Sequence, residues 1–290
     1  MPSMNKNKFK TYDYRHPLYI GGWKKNVAYI DKDFVKDNLD EPHMKRNITI
    51  LSQYPEIEIL YGYDSITVVI AIVGTIIQVI IAYVFGRLLV DWNLTMFIVS
   101  YIFGGSMTQI YSIIIHETTH NLAAKTEFQN RLVGLIANIA VPIPIAMSFR
   151  RHHLEHHAFQ GVEDKDPDLP SEWERNIHPV AARFIQEHYT FDDGQETYSY
   201  YGSFNKIFMN IGYHTEHHDF TKIPWTRLPI VHKIATEYYD NLAYHTSWFM
   251  VNWNFITQRQ FGLQSRLKRS VEAHEKGRKM VKFLKRALNS

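Results

Sequence analysis

Two long charge-free runs constrain this chain more than any other feature. Ser65–Phe85 is 21 residues rich in isoleucine and valine, and Leu94–Ile115 is a second run of 22. As a helix rising 1.5 Å per residue, the first reaches roughly 31 Å, about one hydrocarbon core. Between them, Gly86 to Asn93 supplies a short polar turn with Trp92 as an interfacial anchor. The pair reads as a transmembrane helical hairpin, since a soluble core does not need two successive runs of that length. Both flanks are basic and the turn is not. The positive-inside rule therefore puts the N-terminus, everything after His116 and the C-terminus in the cytosol. Asn93-Leu94-Thr95 forms a sequon on the far side, too close to the membrane to be used.

The rest of the chain is arranged around that hairpin. Residues 1–64 are polar and lysine-rich, without the early apolar core of a signal peptide, and Pro2 rules out N-myristoylation. They are expected to form a cytosolic N-terminal segment, with Glu41–Ile57 as an amphipathic entry. The hairpin occupies 65–115. Leu132–Phe149 is apolar but short, and Pro142 and Pro144 break its helix hydrogen bonds, so a re-entrant or interfacial segment is expected rather than a third crossing. Glu163–Asp168 reads as a loop, and Ser203–Tyr213 and Val231–Trp248 as short amphipathic helices. Residues 116–248 then form a cytosolic cap that carries the chemistry. Residues 249–290 form a basic tail, helical from Arg266, that suits an anionic leaflet or plain solvation. The expected class is an all-α integral membrane protein: a transmembrane hairpin, a re-entrant or interfacial segment, and a helical cap holding a histidine-rich dimetal site. A net charge of +3 carries no argument for nucleic acid.

Half of the 16 histidines fall in three clusters. These are His116-Glu117-Thr118-Thr119-His120, His153-Leu154-Glu155-His156-His157 and His214-Thr215-Glu216-His217-His218. On a helix, His116 and His120 are neighbours, and His153, His156 and His157 leave the same side. Neutral imidazole is a general nitrogen donor to zinc, iron, copper and nickel. The absence of cysteine removes disulfides and thiolate sites. Eight imidazoles exceed what one zinc takes and suit two metals of higher coordination, although spacing does not fix the metal's identity. Glu117, Glu155, Glu216 and Asp219 lie in or beside the clusters, where they could accept imidazole N–H bonds. His116-Glu117-x-x-His120 also matches the zinc-protease motif, with Glu117 as base. That reading leaves six clustered histidines unexplained. A non-catalytic membrane protein keeping the clusters as a structural or sensing site is the reading from another class.

In this order and setting, the three clusters resemble the histidine boxes of the membrane fatty-acid desaturase and hydroxylase superfamily. Within it the chain is similar to the sphingolipid delta-4 desaturases. Tyr54-Pro55-Glu56-Ile57, Gln160-Gly161-Val162, Glu187-His188-Tyr189, Glu196–Gly202, Asn210–Phe220 and Glu237–Leu242 carry the likeness beside the boxes. The resemblance implies oxygen-dependent insertion of a 4,5-trans double bond into dihydroceramide, giving ceramide, in the endoplasmic reticulum membrane. It implies a di-iron centre on His116, His120, His153, His156, His157, His214, His217 and His218, with His188 as a ninth candidate. Electrons would come from NADH through cytochrome b5 and its reductase. The chemistry agrees, because removing hydrogen from an unactivated methylene demands a redox metal and oxygen, which zinc cannot supply. The nearest competing outcome is 4-hydroxylation, which starts from the same hydrogen abstraction. Two features depart from the family pattern. No apolar run separates the second and third boxes, where relatives carry two further spans, and Arg183 stands where relatives have a histidine. His178-Pro179 lacks the Gly-Gly of a cytochrome b5 haem motif.

Overall fold

The computed structural model describes residues 35–88, 94–141, 143–169, 186–191, 195–257, 262 and 265–288. The expectations placed on residues 1–34, on the far-side turn and its sequon at 89–93, on Pro142 and on 170–185 with His178 and Arg183 lie outside them.

The amphipathic entry becomes helix α1 (His43–Gln53) and a 3₁₀ turn (Pro55–Leu60), with Ile48, Ile50 and Ile57 buried. Both charge-free runs are helical. The first is α2 (Ile66–Leu88); the second is α3 (Leu94–Val99), a π-helical turn (Ser100–Gly104) and α4 (Gly105–Thr119). Val69, Val73, Ile76, Ile80, Phe97 and Ile102 are exposed on them. Only 11% and 24% of their apolar windows are buried, whereas a soluble core helix hides most of its length. The two helices therefore have the length, composition and outward apolar faces of membrane spans.

Helix α5 (Glu127–Ile139) starts with a capping box, Thr126 accepting from Gln129 N–H and the Gln129 side chain accepting from Thr126 N–H. Gly134 lets it lie tight against Thr118 of α4, where an added Cβ would come within 2.8 Å of the hydroxyl. The apolar segment 132–149 is thus split, its first half ending α5 and its second half beginning α6 (Ala146–Phe159). Leu132, Leu135, Ile139, Ile143 and Met147 stay exposed along it.

Four expectations need correction. The chain is mostly helical rather than all-α, because strand β1 (Val35–Asp37) pairs in parallel with β2 (Leu267–Arg269). Ser203–Tyr213 is no helix beyond a 3₁₀ turn at Ser203–Lys206, since Met209 and Asn210 take positive φ, which a right-handed helix cannot absorb. Val231–Trp248 is also broken. After the short helix α7 (His214–Asp219) come α8 (Leu228–Ile234) and α9 (Thr236–Tyr239), parted by Ala235 outside helical geometry, and α10 starts only at Trp248 (Trp248–Thr257). The tail is helical from Val271 rather than from Arg266, because Leu267–Arg269 is strand β2, and its helix α11 (Val271–Leu288) is not simply solvated. It buries His274 and Val281, and His274 Nδ1 lies 2.8 Å from Asp40 Oδ1.

Two apolar cores flank the middle of the molecule. One joins α2, α4 and α5 through Ala71, Tyr111, Ile114, Val133 and Ala137. The other joins α1 to the segment after α7 through Ile50, Ile57, Phe220, Ile223 and Val231. The histidines lie between them.

Candidate metal centre

Each box is held by a local device. Helix α4 ends in a Schellman motif: Asn121 sits at φ 61°, its N–H bonds Thr118 O at 3.2 Å, and Leu122 N–H bonds Glu117 O at 3.0 Å. The buried Asn130 side chain secures the following turn with four hydrogen bonds, to the backbone of Ala123, Ala124 (twice) and Thr126. His116 and His120 therefore point from a fixed helix end. Box two is anchored to that end by Arg150, whose guanidinium donates to Thr119 O at 2.6 Å. Box three is fastened from both sides. Arg46 Nε and Asn47 Nδ2 of α1 reach Asp219, while Trp225 bonds Glu117 through its backbone N–H and Thr67 through its indole.

These supports bring all eight predicted box histidines and His188 together in two adjacent groups. His116, His120, His153, His157 and His217 place their ligand atoms within 4.8 Å of one another, as do His156, His188 and His218, with His214 and Glu187 beside His188. The boxes do not map one to one onto the groups. On α6, His153 and His157 join the first and His156 the second; on α7, His217 joins the first and His214 and His218 the second. The shared-face expectation for His153, His156 and His157 is corrected accordingly. Residues 156 and 157 are 100° apart on the helix and face different centres. The groups touch where the His157 and His218 rings come to 4.2 Å.

The ring nitrogens fit metal donors better than mutual hydrogen bonds. His153 Nε2 lies 3.0 Å from both His120 Nε2 and His157 Nε2, and His157 Nε2 is 3.3 Å from His217 Nε2. One imidazole nitrogen offers a single lone pair or a single N–H, so it cannot serve two such neighbours. In the second group, His156 Nε2, His188 Nδ1 and His218 Nε2 are buried without a hydrogen-bond partner among the described residues. Burial pushes the imidazoles of His153, His157, His188 and His218 well below their ordinary pKa, and that of His120, with Arg150 nearby, down to about 3. Neutral imidazole is the ligating form.

The carboxylates around the cluster are only partly those expected. Glu155 is corrected: it forms a surface pair with Arg151 at 3.2 Å, one turn back along α6, and faces away from the centre. Glu216 is fully buried but bonds Ser199, Tyr201 and His232, each at 2.6 Å, rather than a box histidine. Asp219 holds His43 Nδ1 and Arg46 Nε at 2.7 Å. Glu117 lies 3.6 Å from His116 Nδ1 and accepts from Trp225, a structural duty that does not require a protease base.

One carboxylate set against a box imidazole was not expected. Asp166 Oδ1 lies 2.9 Å from His156 Nδ1, leaving Nε2 turned toward His188 and His218. Burial draws the His156 pKa down, but Asp166 and Asp168 outweigh it and hold the pKa up. Glu187, 3.8 Å from His214 Nδ1, and His43, whose ring is 4.9 Å from that of His218, were also missed. Asp166 carried one sequence signal, a turn-rich acidic loop only ten residues after His156.

The Fatty acid desaturase family matches residues 91–192 and 180–250, and Sphingolipid Delta4-desaturase (DES) matches residues 31–66. Among curated proteins, a sphingolipid delta(4)-desaturase of Bos taurus is 31% identical, the alignment covering 84% of this chain and 97% of that protein. The Drosophila melanogaster counterpart is 32% identical (82% and 95%) and the Homo sapiens one 31% (85% and 96%). The bovine alignment runs over 316 positions, more than this chain's 290 residues, so part of that protein has no counterpart here. No solved structure matches.

Proposed function

This chain belongs to the sphingolipid delta-4 desaturases of the fatty acid desaturase family, and on that footing we propose that it introduces the 4,5-trans double bond of ceramide into dihydroceramide with a di-iron centre. The observation that supports the site is the convergence of nine imidazoles in two touching groups. His116, His120, His153, His157 and His217 would hold one iron, and His156, His188, His214 and His218 the other. When bound, the iron pair supplies the redox chemistry with oxygen that an unactivated methylene demands. The balanced reaction consumes one O2, two electrons and two protons per double bond and releases two waters. The electrons come from NADH through cytochrome b5 and its reductase.

The protein's own residues set the stage. Asp166 holds the His156 N–H on Nδ1, so Nε2 is left as a donor. Burial keeps the imidazoles of His120, His153, His157, His188 and His218 neutral. The two apolar helices put the cluster beside a membrane, where a lipid chain and a soluble electron carrier both reach it. We place the protein in the endoplasmic reticulum membrane with both termini cytosolic. Expression in cells lacking ceramide desaturation, followed by long-chain base profiling, tests the function. A 4-ene base is the expected product; a 4-hydroxy base alone would reassign the chain as a hydroxylase, and neither product would overturn the enzyme reading.

A further inference from the structure

Helix α10 breaks the basic character of the C-terminal stretch, for no Asp, Glu, Lys or Arg occurs from Asn241 to Gln258. Its apolar residues fall on two opposite faces. Val251 is fully buried against Tyr189, Phe191 and Tyr198, and the Phe255 ring meets that of Tyr189 at 5.2 Å. Phe249, Trp253 and Ile256 follow one another at i, i+4 and i+7, a strip within about 60° on the helix. They are 70%, 53% and 79% exposed. Beside the start of the helix, Phe204 and Ile207 are exposed as well, the Phe204 ring stacking on Trp248 at 6.2 Å. A water-facing surface scatters such residues singly, whereas a contiguous apolar strip marks a contact.

The neighbours of the strip place it along the membrane axis. Thr67, in the first turn of α2, accepts from the Trp225 indole at 3.0 Å, and Asn210 donates to Trp225 O at 3.2 Å. Phe208, Trp225 and Trp248 pack against the same apolar core as Val68 and Ala71 of α2. Helix α10 therefore begins beside the first turns of the span, on the side that carries the boxes. With 10 residues it is about 15 Å long, half a hydrocarbon core, and cannot cross. A short charge-free helix with Trp and Phe on its outer face suits the plane of the interface, where aromatic rings sit at headgroup level.

Resting on the membrane hairpin, we propose that α10 lies in the plane of the box-side leaflet, with Phe249, Trp253 and Ile256 set into the boundary between headgroups and acyl chains. The bilayer is then what covers this face. The helix also ties the membrane surface to the second histidine group. Its inner face packs on Tyr189, and Gln186 Nε2 donates to Trp248 O at 3.3 Å, so the two residues flanking Glu187 and His188 are both held by α10.

The chain has no cysteine, so one introduced thiol carries one label. Full-length Trp253→Cys is labelled with a nitrobenzoxadiazole in detergent and reconstituted into phosphatidylcholine vesicles. Val73→Cys, on the exposed face of α2, and Glu163→Cys, in the acidic loop, serve as lipid and water references. Iodide on both sides of the vesicle should quench Trp253→Cys roughly five-fold less than Glu163→Cys, because an ion enters the apolar layer poorly. Lipids with a doxyl group near the headgroup should quench Trp253→Cys and leave Glu163→Cys bright. Iodide quenching at the Glu163 level, with Val73→Cys protected, puts the face in water and overturns the proposal alone. Iodide quenching of Val73→Cys as well removes the hairpin and the proposal with it. Protection from both quenchers, with energy transfer between labelled copies, means that a second copy covers the face and also overturns it. If Trp253→Cys does not fold, Ile256→Cys, the most exposed of the three, reads the same face with the same outcomes.

Discussion

His156 and Asp166 meet through Nδ1 and Oδ1 at 2.9 Å with both side chains fully buried, and the aspartate is fixed in turn by the backbone N–H groups of Gly161 and Asp168. Gly161 makes the turn feasible, since it sits at φ 69° against Arg269, where a Cβ would clash. The contact sets the imidazole's tautomer and orientation. Asp166→Asn should weaken metal retention about 10- to 100-fold. Iron per protein, measured after dialysis against a graded chelator, checks this, and wild-type retention would remove Asp166 from the centre.

The division of neighbours between two groups makes a stoichiometric prediction. His153→Ala strips one group and His156→Ala the other, so each should carry about one iron instead of two and lose turnover. His152→Ala is the internal control, because that ring is exposed on α6 and takes no part in either group. Full iron content in both ligand variants would contradict the assignment.

The eight box histidines were legible because their geometry is local: three- and four-residue spacings on a helix survive in any fold. The split of His156 from His157 was legible in principle, from 100° per residue, but only once two centres were assumed. His43, Asp166 and Glu187 were not legible as partners, because their nearness depends on how α1 and two loops fold back onto the boxes. The tail shows the same limit. Its helical pattern reads from Arg266 onward, although the helix starts only at Val271 after strand β2, and nothing local announced that His274 would pair with Asp40, 234 residues away.

Glu216 lies inside box three yet works outward, accepting from Ser199, Tyr201 and His232. Glu216→Ala leaves one buried donor, Ser199, and two part-buried ones, Tyr201 and His232, without their acceptor at once. A loss of about 3 kcal/mol in stability is expected, as a lowered thermal midpoint in detergent. Glu216→Gln keeps shape and one acceptor and should lose less. Equal stability of all three proteins would mean that the network does not hold α7.

Buried neutral imidazoles give the metal-free protein a definite pH dependence. The folded His120 titrates at about 3, against about 6.5 unfolded. Between those values the unfolded chain binds a proton that the folded chain refuses. Stability therefore rises with pH through this window and falls as pH drops below about 6.5. The depressed His153, His157, His188 and His218 act in the same direction, and His156, held up by its carboxylates, opposes them. After chelation the thermal midpoint should be lower at pH 5.5 than at pH 7.5; a higher midpoint at pH 5.5 would mean that the imidazoles are charged when folded.

The hairpin's orientation is open to a clean test because the chain has no cysteine of its own. Any introduced thiol is therefore the only one, and its labelling by a membrane-impermeant maleimide reports its side directly. Helix α2, and α3 with the π-helical turn ahead of α4, present apolar faces outward, and the basic residues Lys125, Arg131, Arg150 and Arg151 follow the second span. Positive charge held in the cytosol then puts the box region there and the 86–93 turn across the bilayer. In sealed microsomes, Ser290→Cys and His152→Cys should label without detergent, and Asn93→Cys only after permeabilisation. Labelling of Asn93→Cys in intact vesicles would break the hairpin. It would also remove the reason for the three boxes, spread over a hundred residues, to meet on one side.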